Sequence, residues 1–449
     1  NPSNHTADLD SLFDMVDVAA GDRNTVESGM VENKNQSDSA AEKLIRNVVG
    51  DGIHSKNHDM QACLTKIYAI MHAQLDSLLH HPEWQALESS WRGLSSLVDH
   101  TNFREPIQLQ IVSVSKDKLL DVLDAHFIQE EFENSENPLS AIIIDAAFQR
   151  QDADFELLQA LAEVGQQLQV PVISNLHADF FGEKCSAKQL QPRQIVAQNG
   201  YQKWQSLRNK DCARWLNMGF NRILLRESYS KEQNKLIAYN ETIRQKSDLL
   251  WGHPAWLIAM LISRSHGSTG WPTEITGQRH CIDQCPVTPD INLQEVPAYC
   301  PLEFNLPLTV VEDFSETGII VPVAQNHRDV VFINSAQSVH RAHYFNDKNI
   351  RLNSRYLTSL AYQLLLAHII KMIARLRLHA PAHISPKQLS SHWQKYFSAY
   401  LSASGAGYKV EINIIPDPDK ASGYLINIQL QTGANVMHGV PVELRLPLQ

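Results

Sequence analysis

Residues 107–175 constrain the fold of this chain more than any other stretch. Ile107–Val114 (IQLQIVSV) alternates apolar and polar residues as a strand does. Residues 117–132 (DKLLDVLDAHFIQEEF) have helical spacing, 140–145 (SAIIID) form a short apolar run, 154–169 (DFELLQALAEVGQQLQ) are helical, and 170–175 (VPVISN) are apolar again. Strand, helix, strand, helix, strand with short links predicts an α/β layer around a largely parallel sheet. A chain of 449 residues outgrows one core of ordinary size, so two or three domains are expected.

The flanks are of different character. Residues 1–59 contain two amphipathic segments, 8–20 (DLDSLFDMVDVAA) and 40–50 (AAEKLIRNVVG), joined by a polar link. In the first, Leu9, Leu12, Phe13 and Val16 make one short apolar stripe, too small to stabilise an isolated helix. From Met60, the positions Leu64, Ile67, Met71, Leu75 and Leu78 predict a long helix. Pro82 then opens a second helix, its missing N–H falling where none is needed. Trp84, Leu87, Trp91, Leu94 and Val98 follow at helical spacing and predict a core-facing seam, with Gly93 admitting a close neighbour and Glu88 pairing with Arg92. The two helices form a hairpin over residues 60–105, followed by a central α/β domain over 106–310 and a C-terminal domain over 311–449.

Within those later domains, 220–229 (FNRILLRESY) reads as a strand and 253–266 (HPAWLIAMLISRSH) as a helix. Residues 309–324 and 329–338 read as short strands and turns, and 353–378 as one long helix with Leu357, Leu360, Leu364, His368, Met372 and Leu376 on one face. A further amphipathic helix spans 386–401, and three alternating strands close the chain at 408–416, 423–432 and 440–448. The overall class is mixed α/β, with a helical N-terminal region, a central sheet layer and C-terminal helices plus strands.

Charge and composition narrow the function. A formal charge of −10 argues against nucleic acid as principal partner. The charge is unevenly placed: residues 1–60 hold eleven acidic against five basic residues, whereas 348–410 hold nine basic and no acidic ones. No run of eighteen apolar residues predicts a membrane span, and no secretory leader is visible, so a cytoplasmic protein is expected. Six cysteines do not make a disulfide framework. His280, Cys281, Cys285 and Cys300 could supply four zinc ligands, but a close Cys pair stands at one end only, so no metal is expected. Acid–histidine neighbours at 57–59 and 326–329 sit in polar stretches and read as solvated loops. The chain has no GxSxG, HExxH or phosphate-loop motif. No cofactor and no catalytic residue is assigned.

The stretch His81, Pro82, Glu83, Leu87, Glu88, Trp91, Arg92, Gly93, Leu94, Leu97 and Val98 resembles a signature of the large subunit of the type VI secretion contractile sheath, the TssC (VipB) family. Similar blocks occur in order along the chain. One runs through Asp145, Phe148, Asp154, Leu157, Leu158 and Pro171; another through Trp204, Arg208, Arg222, Leu225, Arg226 and Tyr229; a third through Trp251, Gly252, Gly270, Trp271, Ile275 and Gly277. The resemblance covers about residues 60–449 and implies a phage-tail-sheath-like fold.

The same resemblance implies a mode of assembly and a set of partners. Such a subunit assembles with a small TssB/VipA-like subunit and with copies of itself into a helical tube around an Hcp inner tube. Contraction switches between two packings and requires no bond chemistry. The tube attaches through a baseplate to a membrane-anchored apparatus, without membrane insertion of this chain. The C-terminal strands, through Tyr408, Val410, Ile412, Ile414, Tyr424, Ile426, Ile428 and Leu430, join an intermolecular sheet; the alternative is an ordinary intrachain hairpin. Lys387 and Lys395 face the inner tube, or else form a solvated basic face. Leu12, Phe13 and Val16 form a recognition segment for a ClpV-type AAA+ unfoldase. Pro82, Glu83, Trp91, Arg92, Gly93 and Leu94 are framework beneath an assembly surface. A sheath-like baseplate or adaptor subunit, and a soluble α/β enzyme, are the alternatives.

Overall fold

The computed structural model describes residues 57–125, 139–182, 190–232, 239–290, 297–325, 328–343, 345–378, 386–403, 409–416, 424–431 and 441–448. The chain divides into two compact units, Asn1–Tyr68 and Ala69–Gln449. Of the first unit the described part is the opening of helix α1 (Asn57–Leu79), where Thr65 Oγ1 donates to Gln61 O at 2.8 Å. The acid–histidine neighbours at 57–59 therefore belong to a helix and not to a loop. Leu12, Phe13 and Val16 lie outside the described residues, as do Tyr408 and the second acid–histidine pair's His327.

In the second unit, α2 (Pro82–Asp99) comes after α1 and His80–His81, with Pro82 in its first turn and His81 extended before it. The segment Ile107–Val114, expected as a strand, joins no ladder; Ile111 is 67% exposed, so its alternation has no sheet to pack into. The chain then forms β1 (Ile142–Phe148), helix α3 (Asp152–Leu168), β2 (Val172–Leu176), β3 (Leu216–Gly219), β4 (Ile223–Leu224), β5 (Trp251–Gly252) and helix α4 (Pro254–Thr269). After β6 (Cys281–Ile282) come helix α5 (Leu308–Glu316), β7 (Ile319–Ile320), β8 (Pro322–Ala324), β9 (Val331–Ile333) and helices α6 (Lys348–Leu357) and α7 (Leu360–Leu378). Helix α8 (Pro386–Ala403) and strands β10 (Lys409–Pro416), β11 (Tyr424–Gln431) and β12 (Pro441–Leu448) end the fold.

The central sheet has the order β1-β2-β3-β7 and is parallel throughout. Both of its faces are covered, which is why its strands read as apolar runs and not as alternations. On one face Val172, Leu216 and Met218 pack with Phe155, Leu158 and Leu161 of α3. On the other, Ile173 and Ile320 pack with Ala255, Ile258 and Leu261 of α4. The β1–β2 register breaks between Ile143 and Ala147, and Asp145 lies within the break. Side chains fill the gap: Ser174 Oγ and Asn175 Nδ2 both donate to the carbonyls of Ile144 and Ala146.

Two further local expectations are corrected. Residues 309–316 form α5 and not a strand, because Val311 and Phe314 sit three apart and both are buried on one helical face. The long helix expected over 353–378 is two helices broken at Thr358–Ser359, where Ser338 N donates to Thr358 O and Leu360 N to Ala336 O; Leu357 is left exposed. A third cluster joins α7, α8 and the β10–β12 sheet through Leu365, Ile369, Trp393, Phe397, Val410, Ile412, Ile426 and Ile428. Among the described residues no helix is long and apolar enough to cross a membrane.

Candidate functional site

Helix α2 carries the feature with most bearing on function, because its buried face is not the face that its apolar pattern predicts. Trp84 is 42% exposed, Leu87 55%, Trp91 65% and Val98 41%, and Leu94 is half-buried. The expected core seam is thus a surface stripe. The buried residues are Ser89, Gly93 and Leu97. Small and polar residues win the inner face because they make directional contacts that large apolar side chains would block.

Gly93 allows the closest of these. A Cβ at this position would stand 2.5 Å from Cδ1 and Nε1 of Trp256 on α4, so α2 and α4 are in backbone-to-ring contact. One turn earlier, Ser89 Oγ donates to Trp251 O at 3.0 Å and Ser90 Oγ to Asp145 Oδ2 at 2.5 Å. His253 Nδ1 meets the other Asp145 oxygen at 2.7 Å. Burial pushes the Asp145 carboxyl up, but the His253 hydrogen bond and charge and the Ser90 hydroxyl outweigh it, and the net shift is downward. Ser, Asp and His stand together here with the carboxylate in the middle. Among the described residues no imidazole is hydrogen-bonded to the Ser90 hydroxyl, which donates to the carboxylate, and the group acts as a brace between α2, β1 and α4.

A second brace is ionic. Glu88 Oε1 accepts from Arg92 Nε at 2.7 Å and from Arg226 Nε at 3.0 Å. Arg226 in turn grips Glu241 with two bonds of 2.6 and 3.0 Å. Glu241 also accepts from Tyr229 N at 2.9 Å and meets His80 Nε2 at 3.1 Å. Burial lowers the pKa of Arg226, yet Glu241 and Glu88 more than reverse that, so its charge is held. The Glu88–Arg92 pair expected from spacing is therefore two members of a wider network, whose partners lie more than a hundred residues away and were not legible in the helix itself. Removing one member of such a buried network costs about 3–5 kcal/mol, because its partners are left charged and unpaired.

The other family-like residues are also framework. Trp204 and Trp271 are buried. Arg208, buried, donates to Val339 O at 3.0 Å and to Glu316 O at 2.8 Å, capping the C-terminus of α5; burial, with Arg341 nearby, pushes its pKa down to about 10. Arg222 and Lys246 both reach Glu303, at 2.8 and 2.9 Å.

Among the described residues no group of three His, Cys, Asp or Glu side chains is placed to hold a metal ion. Burial pushes the Cys285 thiol up to about 12, with Asp329 and Asp283 adding to the effect, which favours the protonated thiol over the thiolate a metal needs. Lys387 and Lys395 lie exposed on α8, opposite its buried Leu389, Trp393 and Phe397. Val410, Ile412, Ile426 and Ile428 face the third cluster, and Ile414 packs partly against it. Strands β10, β11 and β12 pair with one another inside the chain, with β11 in the middle, so any strand from outside must use an outer edge of β10 or β12.

Helix α2 is thus a braced element that turns Trp84 and Trp91 outward, while most of the other tryptophans are buried. The profile of the VipB family (EvpB/VC_A0108, tail sheath N-terminal domain) matches residues 61–340, well over half of the chain. The chain belongs to this family of structural sheath proteins. A relative, the type VI secretion system sheath protein TssC1 of Pseudomonas aeruginosa, is 23% identical over 352 residues, covering 70% of this chain and 69% of that one. Among solved structures, a chain of the anti-feeding prophage baseplate is similar with a TM-score of 0.35 and 11% identity, covering 62% of this chain and 61% of that one. The sheath tail protein Lin1278 of Listeria innocua is similar with a TM-score of 0.36 and 10% identity, covering 76% of this chain and 61% of that one. The chain thus spans less than two thirds of the length of these solved chains.

Proposed function

We propose that this chain is the large subunit of a contractile type VI secretion sheath. It assembles with a small TssB-like subunit and with further copies of itself into a helical tube around an Hcp inner tube, and contracts to propel that tube. The observation that carries this reading is the outward stripe of α2, Trp84, Leu87, Trp91 and Val98, set on a helix braced by two polar networks. Apolar side chains gathered on a rigid surface mark a protein interface, and the small subunit is the partner assigned to it.

The remaining surfaces take secondary roles. The exposed Lys387 and Lys395 face the inner tube, held by many weak contacts that release on contraction. The outer edge of the C-terminal sheet at β12 serves strand sharing between subunits, since that of β10 is taken by Gln394 and Ser390 of α8. The segment through Leu12, Phe13 and Val16 is the handle for a ClpV-type unfoldase. The protein acts in the cytoplasm, joined to the secretion apparatus through its baseplate, and its work is mechanical and not catalytic.

Co-expression with a small-subunit partner, followed by negative-stain microscopy, tests the reading: long tubes are expected. Trp91→Asp places a charge at the centre of the stripe without touching the core, so it should abolish co-purification of the partner while the isolated chain stays folded. Tubes of normal length from Trp91→Asp would refute the assignment of this surface.

A further inference from the structure

Strand β10 lies between β11 on one side and helix α8 on the other. In an antiparallel pair, successive residues direct their N–H and C=O groups alternately to the two sides of the strand. The bonds to α8 therefore mark the residues of β10 whose backbone faces away from β11. Gln394 Nε2 donates to Val410 O, Ile412 N donates to Gln394 Oε1 at 2.8 Å, and Ser390 Oγ donates to Ile412 O at 2.6 Å. Ile414 and Pro416 share that parity, and Pro416 has no N–H to offer.

The Gln394 carboxamide does what a residue of another strand would do. One residue of a parallel neighbour gives its N–H to the carbonyl before the residue it bridges, and with its own C=O takes the N–H after it. Here a single side chain makes both bonds around Glu411, to Val410 O and from Ile412 N. Ser390, one turn earlier on α8, takes the remaining outward group of Ile412. The two side chains keep step with the strand because four helical residues rise about 6 Å and two strand residues about 6.8 Å. The helix itself is seated by other residues: Leu389, Trp393 and Phe397 are buried in one cluster with Val410 and Ile412. What Ser390 and Gln394 add to that packing is closure of the backbone edge.

Bare edge groups invite a strand from another molecule. We propose that Ser390 and Gln394 are an edge stop, which holds β10 shut against a strand of a second copy of this chain. The excluded partner is recognised by its backbone alone, because the groups at stake are Val410 O and the N–H and C=O of Ile412. The stop acts on β10 and goes beyond the sheath reading; it holds whether or not β12 shares its edge in an assembled tube.

Gln394→Met tests this, since it keeps the length and apolar stem of the side chain and removes both bonds. In dilute full-length chain the Ile412 amide should exchange its hydrogen about tenfold faster than in the parent. At higher concentration, light scattering should show a mass that climbs above that of the parent. Ser390→Ala should act in the same direction, so the test survives if Gln394→Met misfolds. Ile414→Pro removes a further outward N–H of β10 and leaves the bonds to β11 in place. Added to Gln394→Met in a chain that stays folded by circular dichroism, it should return the mass to that of the parent, whereas association through unfolded chain would persist. Variants at 390 and 394 that keep the parent's mass, an Ile412 amide that exchanges no faster in Gln394→Met, or extra association that survives Ile414→Pro would each overturn the proposal.

Discussion

Gly93→Ala sets two effects of known size against each other. Alanine in a helix interior is favoured over glycine by roughly 1 kcal/mol. Against this, the new methyl would stand 2.5 Å from Cδ1 and Nε1 and 2.7 Å from Cε2 of Trp256, where ordinary contact begins about an ångström further out. Three atoms of one rigid ring are hit together, so no flexible chain end can swing aside, and the ring or all of α4 must move. Overpacking of this kind costs about 1–3 kcal/mol, and the severity of the approach places it in the upper part of that range. The net expectation is a loss of about 1–2 kcal/mol, read as a lower midpoint in urea unfolding monitored by circular dichroism. Trp256→Leu removes the ring, so the double variant should lose less than the sum of the two singles, with a coupling of about 1 kcal/mol. A Gly93→Ala protein as stable as the parent, or two additive losses, would refute the packing argument.

Three other expectations arise from buried charges and from the basic surface. Burial raises the Glu303 carboxyl, but Arg222 and Lys246 outweigh it and hold the pKa at about 2, below its ordinary 4.5. Its contribution is therefore complete above pH 4.5 and lost as pH falls toward 2; Glu303→Gln should flatten that window in urea midpoints and cost about 3–5 kcal/mol at neutral pH. Burial, with His266, Lys371 and Arg375 adding, pushes His368 from its ordinary 6.5 down to about 3, so the imidazole is neutral in the folded chain. Stability should then fall as pH drops below 6.5, where the unfolded chain takes up the proton first, and His368→Leu should remove this slope; an unchanged slope would show that other groups cause it. Lys395→Glu should reduce retention of the inner tube by the assembled sheath at low salt, and undiminished retention would discard the tube-facing role.

The parallel layer was legible because strands buried on both faces leave unbroken apolar runs, as 140–145 and 170–175 do. Ile107–Val114 has strand-like alternation, yet alternation supplies no partner, and this stretch stays unpaired. Residues 309–316 were hidden by local β-branched residues, while burial of Val311 and Phe314 settled them as helix. The candidate surface was located by its tryptophans but assigned to the wrong side. Amphipathicity orients a helix by its largest apolar face, which holds only when nothing else competes for the inside. Here Ser89, Ser90 and Gly93 compete, and their partners at 251, 145 and 256 are brought near by the fold alone. The Ser89-x-x-x-Gly93 spacing on the reverse of the aromatic stripe is a local sign of the inner face that the periodicity reading passed over. The Arg226–Glu241 brace gave no local sign at all.

The polar underside of α2 also has a consequence for how the protein must be made. Its hold on the body uses contacts within the chain, and among the described residues the aromatic stripe stays exposed. A ribosome that delivers this chain ahead of its partner releases a finished molecule bearing the kind of surface by which chaperones and proteases recognise an unfinished one. On the proposed pairing of this surface with the small subunit, balanced synthesis of the two is required, and the surplus of one over the other should appear as turnover of whichever is left uncovered.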